Sequence, residues 1–163
     1  MEIELTNAEA VELAKRWGAK DFVTPDEILD AYKAGKERGI IGYAESLKKK
    51  RQEALLASMR ASSEIIVYLD QQLKINVEIA FLRQLLISDE ECVHKTLIVI
   101  NKKNYLSEIA KEAYSILIDK SRKIRSSKGL IIDFALMPNE ELNKDLLLGD
   151  GYIYHYVKES SRA

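Results

Sequence analysis

The sequence predicts an α+β protein: N-terminal helices, one of them long, followed by a small α/β unit in the order β-α-β-α-β. Three observations carry this. Thr6 and Thr24 each open a helix-start signal, residues 43–128 contain neither Gly nor Pro, and beyond residue 88 short apolar runs alternate with one amphipathic stretch. The chain divides accordingly into a helical pair over 1–42, a long helix over 43–88, an α/β unit over 89–157 and a polar tail over 158–163.

The first helix starts where Thr6 and Glu9 form a capping box, and it ends at Trp17-Gly18. The second starts at Thr24-Pro25-Asp26-Glu27, with Pro25 suited to the first helical position because its missing N–H costs nothing there, and stops at Gly39. From Tyr43 onward Leu55, Met59, Ser62, Ile66, Leu69, Leu73, Asn76 and Ala80 recur at alternating spacings of four and three, the pattern of a helix seam. The spacing predicts a continuous helix to about residue 87. Its competitor is a break near Ser62-Ser63 or Asp70-Gln71, because Ile65-Ile66-Val67-Tyr68-Leu69 is rich in β-branched and aromatic residues.

Size gives the long helix a functional meaning. Unbroken, it would span about 65 Å at 1.5 Å per residue, whereas a globule of this chain length is about 40 Å across. Such a helix needs a partner, so Leu55, Met59, Ile66, Leu69 and Leu73 are expected to form a coiled-coil-like seam to another protein or a second copy.

In the α/β unit, Lys95-Thr96-Leu97-Ile98-Val99-Ile100 reads as a buried strand ending at a polar turn. Leu106, Ile109, Ala110, Ala113, Leu117 and Ile124 then share one helical face, and 130–137 reads as a second strand. That succession is a parallel crossover. Pro138-Asn139-Glu140-Glu141 opens a short helix, and 152–157 alternates as a last strand with its tyrosines on one face.

Charge narrows the function classes. With 25 Lys and Arg against 26 Asp and Glu, there is no global basic field, so any nucleic-acid role rests on local patches. Two exist: Lys48-Lys49-Lys50-Arg51, and Lys120, Arg122, Lys123, Arg125 and Lys128 at the end of the later helix. The single Cys92 makes no intramolecular disulfide and points to a reducing compartment. With no signal-peptide pattern and no run of about 18 apolar residues, the expected location is cytoplasmic, off the membrane.

Phosphate-loop, dinucleotide, nucleophile-elbow and zincin motifs are all missing from the sequence, and neither a cofactor nor a metal site is expected. Cys92 and His94, two apart on a strand, would share a face as a thiol and base do, but free Cys is more often plain core. The acids Asp89, Glu90 and Glu91 read as a solvated helix end or turn, against the alternative of a metal-binding loop. Asp133 interrupts an apolar strand, which makes it the candidate catalytic acid, against the alternative of an exposed or paired position.

The strand 97–100, the helix through Tyr105-Leu106-Ser107-Glu108-Ile109, the strand Ile131-Ile132-Asp133-Phe134, and Pro138-Asn139-Glu140-Glu141 before Gly151-Tyr152 together resemble the later part of the minimal nucleotidyltransferase fold. The resemblance covers 96–157. It implies that Asp133 is the third carboxylate of a metal-binding triad that positions a nucleoside triphosphate. That family's Gly-Ser turn and acid-x-acid pair have no counterpart in 95–100, which implies a fold relative without catalysis. The leading expectation is therefore a non-catalytic interaction or assembly module, with a nucleotide- or nucleic-acid-handling protein as the alternative.

Overall fold

A computed structural model of the chain describes residues 6–18, 43–88 and 91–157. The expected helix at 24–39 and the polar tail lie outside the described residues. In chain order the elements are α1 (Asn7–Arg16), α2 (Tyr43–Leu73), β1 (Ile79–Leu86), β2 (Cys92–Ile100), a one-turn α3 (Lys102–Tyr105), α4 (Glu108–Lys128), β3 (Ile132–Pro138), a 3-10 turn (Asn139–Glu141), α5 (Lys144–Gly149) and β4 (Tyr154–Val157). The class is α+β, as the sequence indicates.

Helix α1 starts on its capping box: the Thr6 hydroxyl accepts from the Glu9 amide, and the Glu9 carboxylate accepts from the Thr6 amide. Its last turn places Trp17, fully buried, against Tyr156, with ring centroids 5.6 Å apart. The indole N–H donates to Ser63 Oγ at 3.0 Å, and that hydroxyl in turn donates to the Met59 carbonyl. One anchor thus fixes α1 to both α2 and β4.

The long helix is shorter than its seam suggests. It runs unbroken through 65–69 but ends at Leu73, where Lys74 takes a left-handed conformation (φ 56°) and the Ile75 amide reaches back to the Leu69 carbonyl. Beyond it Ile75, Asn76, Val77 and Glu78 alternate buried and exposed, and 79–86 is a strand. The expected helical end of 43–88 is therefore corrected to a β-strand. Asn76 and Ala80 continued the four-and-three spacing by coincidence: Asn76 is polar and exposed, on the opposite side of the extended segment from Ile75 and Val77. At 31 residues α2 is about 47 Å long. Most of the mismatch with globule size disappears.

The extra strand lies ahead of residues 89–157 and pairs with β2 as a hairpin, so the sheet-forming part of the chain opens on two consecutive strands before the crossover. The four strands form one mixed sheet in the order β3-β2-β1-β4. β1 pairs antiparallel with β2 and with β4, while β2 and β3 are parallel across α4, as the crossover pattern requires.

One sheet face is covered by helices. Ala80, Leu82, Ile98, Ile100, Leu136, Tyr154 and Tyr156 point into a core with Leu55, Leu56, Met59, Ile66 and Leu69 of α2, Leu117 of α4, and Trp17. Small residues line the inner side of α2, so it approaches β2 closely enough for Ser62 Oγ and Thr96 Oγ1 to bond at 2.7 Å. On the other face Leu147 of α5 covers Phe81 and Val99, and Tyr152 joins that second cluster. Tyr152 precedes β4 and lies apart from Tyr154 and Tyr156, so the three tyrosines do not share a face.

Candidate functional site

The strongest structural relationship between sequence-predicted residues is one the sequence could not state. Ala54 of α2 and Ile124 of α4 pack in the same small apolar cluster, with Ala57, Ala61, Leu130 and Ile132. Lys48, Lys49, Lys50 and Arg51 lie in the turn of α2 just before Ala54, and Lys123 and Arg125 flank Ile124. A second chain of contacts ties the same ends together. The Arg51 carbonyl accepts from Gln84 Nε2 at 3.1 Å, Gln84 pairs across the sheet with His94, His94 with Ile132, and the Ile132 carbonyl accepts from Ser121 Oγ. Two basic clusters about seventy residues apart in sequence thus sit at one end of the helical layer.

Most of their side chains face water, while Lys49, Arg51 and Lys120 are half-buried. Lys48, Lys50, Arg122, Lys123, Arg125 and Lys128 are exposed, and Lys49 is 3.9 Å from Glu53. Glu45, Glu53 and Asp119 offset part of the charge in these two segments, leaving a positive end on a chain whose net charge is −1. Lys120 is set apart from the rest: its ammonium lies 5.1 Å from the centre of the Tyr68 ring, an arrangement that favours a cation over the aromatic face. The helix geometry explains part of the cluster on its own, since Arg125 and Lys128 occupy the last turn of α4 beside its free carbonyls, and Gly129 (φ 65°) ends it.

The residues of the expected interaction seam pack inside the chain itself. Leu55, Met59, Ile66 and Leu69 are buried against this chain's own sheet, and Leu73 packs partly buried on the same core. Ser62 is buried on Thr96, whereas Asn76 is exposed beyond the helix. The heptad-like spacing is that of a helix lying on a sheet.

Asp133 is exposed, on the sheet face away from α4. Its cross-strand neighbour is Lys95. Helix α4 packs over the opposite face through Ala110, Ala113 and Leu117, so Asp133 and the Lys120 to Lys128 cluster lie on different sides of the sheet. Glu91 is exposed at the hairpin end, and Asp89 and Glu90 lie outside the described residues. Among the described residues no group of three His, Cys, Asp or Glu side chains could hold a metal ion.

Under the basic end lies a buried polar node. His94 is fully buried. Gln84 Nε2 is 3.1 Å from His94 Nε2 and 3.7 Å from Cys92 Sγ while donating to Arg51. An amide N–H directed at Nε2 makes that atom the acceptor and places the imidazole proton on Nδ1, which is buried with no hydrogen-bond partner. Burial lowers the His94 pKa from 6.5 to about 4, opposed only in part by the nearby Ile131 backbone. Burial raises the Cys92 thiol pKa, with Gln84 and Arg51 pulling it down less strongly. A protonated thiol bridged to the imidazole by an amide lacks the direct thiol–base contact that nucleophilic catalysis uses.

Gln84 has no place in the sequence reading because its segment carried a helical assignment. Read as a strand, Ala80, Leu82 and Gln84 fall on one face, and that alternation was the available signal.

No helix among the described residues is long and apolar enough to cross a membrane. No family model, curated protein or solved structure matches the chain.

Proposed function

We propose that this protein binds nucleic acid through its phosphate backbone, using the end of the helical layer that carries the 48–51 cluster of α2 and the 122–128 cluster of α4. The observation that carries this reading is that Ala54 and Ile124 pack against one small apolar cluster, which brings the basic segments next to them toward the same end of the helical layer. Phosphate recognition needs clustered exposed cations and no further motif. A near-neutral chain with two basic segments at one end of its helical layer can orient that end toward a polyanion.

Fluorescence anisotropy with a labelled duplex, measured over a salt series, tests the proposal. Binding is expected near 50 mM salt, with affinity falling steeply as salt rises. The pair Lys48→Glu and Lys50→Glu on α2, and the pair Arg122→Glu and Arg125→Glu on α4, are each expected to weaken it by about tenfold or more and to flatten the salt slope. A duplex that is not retained at low salt, or that binds all variants alike, overturns the reading.

A second reading is a protein-interaction or assembly module. Val67 and Tyr68 on the outer side of α2, and Leu85, Leu86 and Ile87 at the hairpin end, are large apolar side chains left exposed. Light scattering at tens of micromolar separates the two. A monomer that captures duplex favours the first, and a concentration-dependent oligomer indifferent to duplex favours the second.

A further inference from the structure

The outer sheet face carries a row of charge. Arg83, Lys95 and Asp133 are successive cross-strand neighbours on β1, β2 and β3, so their side chains emerge on one face at one level. The adjoining rows are apolar: Leu85 and Val93 on one side, Phe81, Leu97 and Ala135 on the other. Within the charged row two cations stand directly opposite each other on an antiparallel ladder, an arrangement that destabilises a sheet unless something compensates it.

The protein compensates only one of them. Arg83 Nη1 donates to the Asp150 carbonyl at 3.2 Å, and its guanidinium lies 5.1 Å from the centre of the Tyr152 ring. Both contacts hold Arg83 from the β4 side of the sheet, and its Nε is buried with no hydrogen-bond partner. Lys95 makes no ion pair among the described residues, although Asp133 is its neighbour. A planar guanidinium held by a tyrosine and a carbonyl, beside an uncommitted ammonium, matches the charge and donor geometry of a phosphate group.

We propose that Arg83 and Lys95 form a phosphate-binding site on the outer face of the sheet, with Asp133 at its edge as a charge that limits affinity. The site lies across the sheet from the helical basic clusters and stands whether or not they bind nucleic acid. Arg83 holds the phosphate oxygens, Lys95 supplies the second positive charge, and the carboxylate of Asp133 repels the same anion. Neutralising Lys95 and neutralising Asp133 therefore have opposite effects. A phosphate can arrive as a small monoester or as part of a nucleic-acid backbone, and both present the same oxygens.

Isothermal titration calorimetry on the full chain with inorganic phosphate, and separately with a short oligonucleotide, distinguishes these sources. Lys95→Gln is expected to weaken binding about tenfold, the size of one lost charge-assisted hydrogen bond. Asp133→Asn is expected to tighten it several-fold, a gain that no loss of structure would produce. Sensitivity of inorganic phosphate to both variants supports the site and assigns a small phosphorylated ligand. Sensitivity of the oligonucleotide alone supports it and assigns a phosphodiester. No saturable binding of either probe, or binding that Lys95→Gln and Asp133→Asn leave unchanged, overturns it. The Lys48→Glu and Lys50→Glu pair serves as the control. Its failure to alter oligonucleotide binding counts against the helical surface alone, and inorganic phosphate should bind it like the parent chain.

Discussion

The side-chain amide of Gln84 meets the imidazole of His94 at 3.1 Å, inside the protein, with the second ring nitrogen of His94 left without a hydrogen-bond partner. An imidazole so enclosed stays neutral to about pH 4, whereas in the unfolded chain it takes up a proton near pH 6.5. The sign follows directly. Above pH 6.5 the ring is neutral in both states and contributes no pH dependence. As pH falls from 6.5 to 4 the unfolded chain binds a proton that the folded chain refuses, and stability drops by up to about 3 kcal/mol before levelling off. Urea unfolding of the parent and of a His94→Asn variant between pH 7.5 and pH 4.5 checks this. The parent should lose more stability than the variant across that window, and parallel curves would show that His94 is not the group responsible.

Ser62 and Thr96 make the polar contact between α2 and the sheet. Either hydroxyl donates, and both are buried. Ser62→Ala leaves the Thr96 hydroxyl unsatisfied in the core and is expected to cost about 1 to 3 kcal/mol. Replacing both, with Thr96→Val, removes the orphan and should recover much of that loss. A double-mutant cycle from denaturant unfolding measures the coupling, expected to be about 1 kcal/mol or more. Additive single effects would mean the pair stabilises nothing as a pair.

Lys74 ends α2 in a left-handed conformation that costs an L-residue about 1 to 2 kcal/mol. Lys74→Gly relieves it, at the expense of greater freedom in the unfolded chain. The net expectation is a gain of up to about 1 kcal/mol, seen as a higher unfolding midpoint at unchanged denaturant slope. A lower midpoint would place the helix end elsewhere.

The readability of this chain differs element by element for physical reasons. Local signals succeed where the energy is local. Thr6 with Glu9 marks α1 because both halves of the capping box lie within one turn. The apolar run 97–100, the amphipathic 106–124 and the strand at 130–137 yield a parallel crossover because a connection of that length leaves the chain little other choice. The segment 74–87 fails because its apolar spacing satisfies two periods at once. What separates them is the pairing of Ile79 to Leu86 with β2 and β4, a non-local contact that no window contains.

The sequence by itself determined the α+β class, the start of the first helix, the crossover and the identity of the basic residues, since each depends on neighbours within a few turns of chain. It also identified Leu55, Met59, Ile66 and Leu69 as a buried face. Tertiary structure decided what buries them. The chain's own sheet does so, because β1 supplies the extra strand for α2 to lie on. Tertiary structure likewise decided that 48–51 and 122–128 share one end, and that Arg83, Lys95 and Asp133 share one row. Charges far apart in sequence become a surface only when packing and strand register bring them together.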